Sequence, residues 1–178
     1  MSGSDAVGDR ELDGGCCPEL PTEILDSHGI PLLVRLVEPS DEAAIRDLHE
    51  RCSERALRWR YLGIGPQVEH LLRWVFDRSI GEAVGVFHGE HLVALSNLSC
   101  PDRHGVGDVA FLVADAWQGR RIGSQMVTLL GERGRAEGCR TLHADVSLDN
   151  GRMRTLFAHR GWTGHVEDGD YSMDLQLV

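Results

Sequence analysis

The chain contains no lysine: all 18 of its cationic side chains are arginines. Guanidinium groups stay charged at any working pH and present a planar fork of donors to phosphates and carboxylates. Long uncharged apolar runs are missing from the 178 residues, so no membrane-spanning helix is expected. The opening stretch MSGSDAVGDRELDGG has neither the basic start nor the apolar centre of a secretory signal, and a cytoplasmic location is expected. Cysteine is scarce and odd in number. Cys16, Cys17, Cys52, Cys100 and Cys139 include no C-x-x-C pair, which argues against a disulfide framework and against zinc. The nine histidines contain no H-x-x-x-H pair, so no metal is expected. Positive charge is in deficit as well. A formal net charge of -10 disfavours nucleic acid as a partner, because phosphate neutralisation needs a basic face.

What is present fits one domain with an ordinary core, 42% hydrophobic and 26% charged. Acidic residues crowd the first 26 positions (Asp5, Asp9, Glu11, Asp13, Glu19, Glu23 and Asp26 against Arg10). Residues 1–28 therefore read as a flexible acidic tail, ordered only where it docks, and residues 29–178 as the domain. Ile30 to Val37 has the branched composition of a strand, and Pro39-Ser40-Asp41 marks a helix start. Ala44, Ile45, Leu48 and Cys52 then recur at helical spacing. After a linking stretch, QVEHLLRWVFD gives a second helix. Three apolar segments follow, broken at His88-Gly89-Glu90 and at PDRHG, as in consecutive antiparallel strands. A helix from about Arg120 to Glu137, a strand in RTLHADVSL, a short helix capped by Asp149 or Asn150 and two closing strands complete the chain. The helix-length connection between Val109 and Val146 predicts parallel neighbours. The fold class expected is α/β, with a mixed sheet.

The segment Gln118-Gly119-Arg120-Arg121-Ile122-Gly123-Ser124 stands where an apolar strand gives way to an amphipathic helix. A helix start leaves backbone N–H groups unpaired and carries partial positive charge. Glycines let a ligand approach that backbone, and two guanidiniums add cationic forks. Such a loop suits a diphosphate. A Gly-Lys-Ser/Thr phosphate loop is excluded by the lack of lysine, and a dinucleotide fingerprint by the loop's late position.

This loop resembles the Q/R-x-x-G-x-G/A signature of the GNAT superfamily of acyl-CoA-dependent N-acetyltransferases, with Arg121 where the family usually has glycine. DNGRMRTLFAHRGW, about thirty residues downstream, resembles that family's N-x-x-A/M-x-x-L-Y/F-x-x-x-G-F/W helix. The segments PLLVRLVEPSDEAAIRDLHERCSERALRWRYLG and GDVAFLVADAWQGRRIGSQMV are similar to the bacterial protein acetyltransferase (Pat-like) branch. The resemblance implies a central, mostly antiparallel mixed sheet flanked by helices, with acetyl-CoA as co-substrate. It implies backbone contacts to the pantetheine arm from Phe111, Leu112 and Val113, a diphosphate site from Gln118 to Ser124, and a pantetheine contact or helix cap at Asn150. Asp108 falls where the branch has a glutamate base, and His104 lies near it; Phe157 replaces the tyrosine that protonates the leaving thiolate, with Cys100, Tyr171 or water as substitutes. The four tryptophans read as core or rim packing, with Trp117 a candidate to line the cleft, and the Arg55–Arg60 cluster reads as a solvated face or as a site for an acidic group. The expected reaction is acetyl transfer to a primary amine: a protein lysine or small cationic amine, or else an antibiotic or metabolite amine. The rival from another class is a non-catalytic acyl-CoA-binding module. A homodimer stays open.

Overall fold

A computed structural model of the chain describes residues 18–63, 65 and 67–177. Eight strands form one sheet: β1 (Thr22–Leu25), β2 (Pro31–Leu36), β3 (Gly81–His88), β4 (His91–Ser99), β5 (Val106–Val113), β6 (Thr141–Val146), β7 (Thr163–Glu167) and β8 (Asp170–Gln176). Their spatial order is β1-β2-β3-β4-β5-β6-β8-β7. Every neighbouring pair is antiparallel except β5 and β6, which are joined through helix α4 (Ile122–Ala136) and run parallel, as the helix-length crossover predicts. The fold class is the expected one.

Helices cover both faces. On one side α1 (Glu42–Arg51), α2 (Glu54–Tyr61) and α3 (Val68–Val75) enclose Ile45, Leu48, Leu72, Val75, Leu95 and Leu112. On the other, α4 and α5 (Gly151–Ala158) enclose Ile122, Met126, Leu130, Leu142, Phe157 and Trp162. β3 and β4 run through the middle and are buried along nearly their whole length, so they read as continuous apolar runs without the alternation of a half-exposed strand.

Charged pairs pin the layers together. Asp41 closes the start of α1 by accepting from the Glu38 amide and takes both arms of Arg35 at 2.7 Å. Glu82 on β3 and Arg133 on α4 pair inside the sheet–helix interface, with Arg133 Nη2 2.6 Å from Glu82 Oε2. The turn at Asp168-Gly169 has both residues in the left-handed region (φ 49° and 93°), as a tight hairpin with native strand twist requires.

Two expectations are corrected. The stretch expected to be a flexible tail contributes β1, which pairs with β2 from Thr22 to Leu25, and Asp26, which is buried. The part of that tail from residue 1 to 17 lies outside the described residues. The stretch taken as a linker after α1 contains a helix of its own, α2. Its start is capped by Ser53, whose Oγ accepts from the Ala56 amide at 3.2 Å, and it stops where Leu62 and Gly63 turn left-handed (φ 50° and 83°).

Candidate functional site

β5 and β6 pair only from Val106 to Asp108, against Thr141 to His143. Beyond Asp108 they part. The gap opens into a cavity of about 320 Å³, walled by Val109–Val113 on one side and Ala144–Val146 on the other. From Val109 onward the edge of β5 that faces β6 has no strand partner, so it offers backbone donors and acceptors to an extended ligand.

The far end of the cavity is closed by the loop between β5 and α4. Asp115 fixes that loop to the start of α2 by accepting from the Ser53 amide and hydroxyl, both at 2.7 Å. Gln118 folds back and donates from Nε2 to the Val113 carbonyl at 3.1 Å. Gly119 has φ 76° and Arg121 φ 64°; the second of these is the strained one, because an L side chain must occupy the left-handed region. No side chain caps the first turn of α4, so its amides and the positive end of the helix face the cavity. A Cβ at Gly123 would meet only Leu156, at an ordinary 3.8 Å. The room above it therefore belongs to the cavity and is not filled by protein.

Phe111, Leu112, Val113, Gln118, Gly119, Arg121, Gly123 and Ser124 all line this cleft. Asn150 lines it too and also caps α5, with Oδ1 accepting from the Met153 amide at 3.2 Å. Two expected contacts are corrected. The Ile122 side chain is 1% exposed and points into the core, so only its amide, at the start of α4, is left for such a contact. The Arg120 guanidinium stacks over Trp117 at 4.5 Å and lies 3.4 Å from Asp26. Burial alone would raise the Asp26 carboxyl, but the amides of Ile30 and His28 and the Arg120 guanidinium outweigh it and hold it below the usual range. Arg120 thus ties the loop to the turn that follows β1, while two arginines that sequence reasoning missed stand beside the loop and the first turns of α4. A Cβ at Gly119 would come within 3.2 Å of Arg152 Nη2, and Arg160 donates to the hydroxyls of Ser124 and Thr128.

Asp108 sits at the vertex where β5 and β6 separate, its amide donating to Ser99 Oγ at 2.7 Å. Partial desolvation by the walls raises its carboxyl above the usual aspartate range; the neighbouring His143 works against this, and Asp145 and Asp102 add to it. His143 is itself held between Asp174 (2.8 Å) and Asp145 (3.3 Å). His104 is an exposed loop residue whose carbonyl accepts from Arg140. Phe157 is fully buried, stacked on Trp162 at 4.3 Å and edge-on to Phe111 at 5.9 Å. Of the three expected substitutes for an acid there, Cys100 is exposed and Tyr171 packs under Arg154.

A second cavity, about 340 Å³, adjoins the first and shares Arg60, Val109 and Ala110 with it. Asp108, Asn97, Tyr61, Leu71 and Trp74 also line it, together with Gly65, Gln67 and His70 at the start of α3. The helix that roofs both cavities is α2. Trp59 and Arg58 reach across from it to Asp149, at 2.7 Å and 3.1 Å. The Arg55–Arg60 cluster is therefore split: Arg55 and Arg58 are exposed and Arg60 turns inward. Among the described residues, no group of three or more His, Cys, Asp or Glu side chains is placed to hold a metal ion, and no helix is long and apolar enough to cross a membrane.

A splayed parallel strand pair under an uncapped, glycine-flanked helix start leaves an open strand edge that ends at unpaired helix amides. Residues 42–162 match the model of the acetyltransferase (GNAT) family, and the chain belongs to that family. It is an acetyl-CoA-dependent N-acetyltransferase. The fold is similar to the GNAT domain of S. lividans PAT, with 21% identity, 88% of this chain and 96% of that one covered and a TM-score of 0.80. It is also similar to yncA, an acetyltransferase structure from Salmonella typhimurium with its cofactor acetyl-CoA (19%, 83% and 94%, TM-score 0.67). A cAMP-binding acyltransferase from Mycobacterium smegmatis shares the fold at 24% identity and a TM-score of 0.61; the match covers 89% of this chain and 47% of that one.

Proposed function

We propose that the chain transfers an acetyl group from acetyl-CoA directly to a primary amine, a protein lysine or a small amine, that enters through the second cavity. The observation that carries this reading is the position of Asp108. It stands at the mouth of the fork, on the wall of the second cavity, beside the strand edge that faces the first. Bound acetyl-CoA supplies an activated acyl group. The open edge of β5 from Val109 to Val113 orients the pantetheine arm, and the first turn of α4 with Arg121, Arg152 and Arg160 neutralises the phosphates.

An ammonium cannot attack a carbonyl, so a base must take a proton from it. Asp108 fills this role, directly or through one water, and its raised pKa makes it a better base than an aspartate at the ordinary value. Phe157 carries no proton to donate, so solvent protonates the thiolate that leaves. The net acidity of the chain favours amines that arrive as cations. The test measures thiol release from acetyl-CoA with a panel of amines and lysine-bearing proteins, together with calorimetric binding of coenzyme A. Asp108→Asn is expected to bind coenzyme A like the wild type and to lose about 10²–10⁴-fold in kcat. Full turnover by that variant overturns the role of Asp108. Absence of coenzyme A binding overturns the reading of the cleft.

A further inference from the structure

We propose that Arg60 and Asn97 form a carboxylate subsite in the second cavity, and that the acceptor is a small amine that also bears a carboxylate. This rests on the reading of the site as an amine acetyltransferase and narrows its substrate.

Arg60 enters the interior from the last turn of α2. Among the described residues its one side-chain hydrogen bond goes from Nη2 to Asn97 Oδ1, at 3.0 Å, and its guanidinium packs near the Tyr61 ring at 5.1 Å. Among the described residues, no carboxylate lies within 4.0 Å of it. Three other arginines that turn inward each have a carboxylate: Arg35 has Asp41, Arg120 has Asp26 and Arg133 has Glu82. Desolvation pulls the Arg60 pKa below that of a free guanidinium, yet arginine stays protonated in proteins. A half-buried cation with no carboxylate beside it carries a desolvation cost, and an anionic ligand offsets it.

Asn97 adds a second donor. It is 4% exposed, and because Arg60 can only donate, the Asn97 oxygen must face it. That leaves Nδ2, which has no hydrogen-bond partner among the described residues. Buried polar atoms are nearly always satisfied, so an orphan donor on a cavity wall marks a missing acceptor. One carboxylate can accept from both groups.

The same cavity holds the opposite charge. Asp108 lies on its wall and makes no ion pair with Arg60, so neither group neutralises the other. Asn97 is paired with Ala110, and Asp108 is two residues farther along β5 on the same face, a step of about 6.6 Å along a strand. Leu71, Trp74 and Ala110 supply apolar wall between these ends. The pattern matches a molecule with an amine at one end, for Asp108, and a carboxylate at the other, for Arg60 and Asn97. A carboxylate at the end of a dicarboxylic acyl group on coenzyme A carries the same chemistry, and the experiment separates the two sources.

The test compares α- and ω-amino acids with their own carboxamides as acceptors for acetyl-CoA, and succinyl-CoA with acetyl-CoA on a neutral amine. At least one amino acid is expected to exceed its amide by about tenfold or more in kcat/KM, the factor that a hydrogen bond to a charged group supplies. Arg60→Gln is expected to bring that ratio close to one. Asn97→Asp keeps the side-chain volume, places a carboxylate beside Arg60 and is expected to do the same, so the result does not depend on one variant folding. Ratios near one for every pair in the wild type overturn the proposal. A preference for succinyl-CoA that disappears in both variants overturns the assignment to the acceptor and gives the subsite to the acyl group. Coenzyme A binding with turnover of amines and amides alike sinks this inference alone. No coenzyme A binding sinks the reading on which it rests.

Discussion

Replacing Arg121 by glycine and, separately, by alanine separates two effects that one side chain combines. Arg121 precedes α4 with φ 64° and ψ 3°, where an L residue costs about 1–2 kcal/mol relative to the right-handed region. Glycine escapes that cost but loses about 0.4–1 kcal/mol in greater freedom of the unfolded chain. Alanine keeps the strain and removes the guanidinium. Arg121→Gly is therefore expected to exceed Arg121→Ala in stability by roughly 0.5–1 kcal/mol, which for a domain of this size is about 2–4 °C in melting temperature per kcal/mol. Binding of coenzyme A responds differently, since both variants lack the same cation at the phosphate end. Both should weaken by about tenfold at low salt, about 1.4 kcal/mol, and the deficit should shrink as salt screens an exposed charge. Thermal melts by circular dichroism and titration calorimetry at two ionic strengths read both quantities. An alanine variant as stable as the glycine variant would show that the backbone strain is not there. Unchanged affinity in both would remove Arg121 from the diphosphate site.

Gly123→Ala tests whether the space above the first turn of α4 is reserved for the ligand. The new Cβ meets only Leu156 at 3.8 Å and alanine is the better helix former by up to about 1 kcal/mol, so the melting temperature should hold or rise while coenzyme A affinity, measured by calorimetry, falls at least tenfold. For Asp108, whose raised pKa reflects desolvation, kcat/KM should climb with pH through an inflection above the ordinary aspartate range, and a profile in Asp108→Asn should lack it. Folding favours the protonated form of this carboxyl, so its penalty is present at neutral pH and relieved on acidification; melts should show Asp108→Asn gaining stability at neutral pH and losing that advantage as pH falls. Asp41 has the opposite sign. Its two bonds to Arg35 outweigh desolvation and hold it below the usual range, so its contribution is full above the unfolded pKa and lost as pH drops through the folded one. The gap between wild type and Asp41→Asn in urea melts should be widest near neutrality and close in acid.

The sequence carried much of the frame on its own. Pro39-Ser40-Asp41 marks the start of α1, the alternation of Leu142, Ala144 and Val146 marks β6, and Gly119 and Gly123 flank the start of α4. These signals are local, because the period of apolar residues and the geometry of caps and turns are set within a few residues of chain. α2 escaped for the same reason. Ala56 is its single buried residue, and its arginines mask any apolar stripe; the Ser53 cap and the Gly63 stop were the signals available.

The loop's composition by itself pointed to an anion site where α4 begins, since unpaired amides and left-handed positions there follow from the residues present. Where each arginine points was decided only by tertiary structure. Arg120 meets Asp26 from 94 positions away, Arg60 meets Asn97 from 37, and Arg160 reaches Ser124 from 36. A guanidinium on a long flexible stem has no periodicity that reveals its partner, and its charge is silent until the folded chain supplies a carboxylate or withholds one.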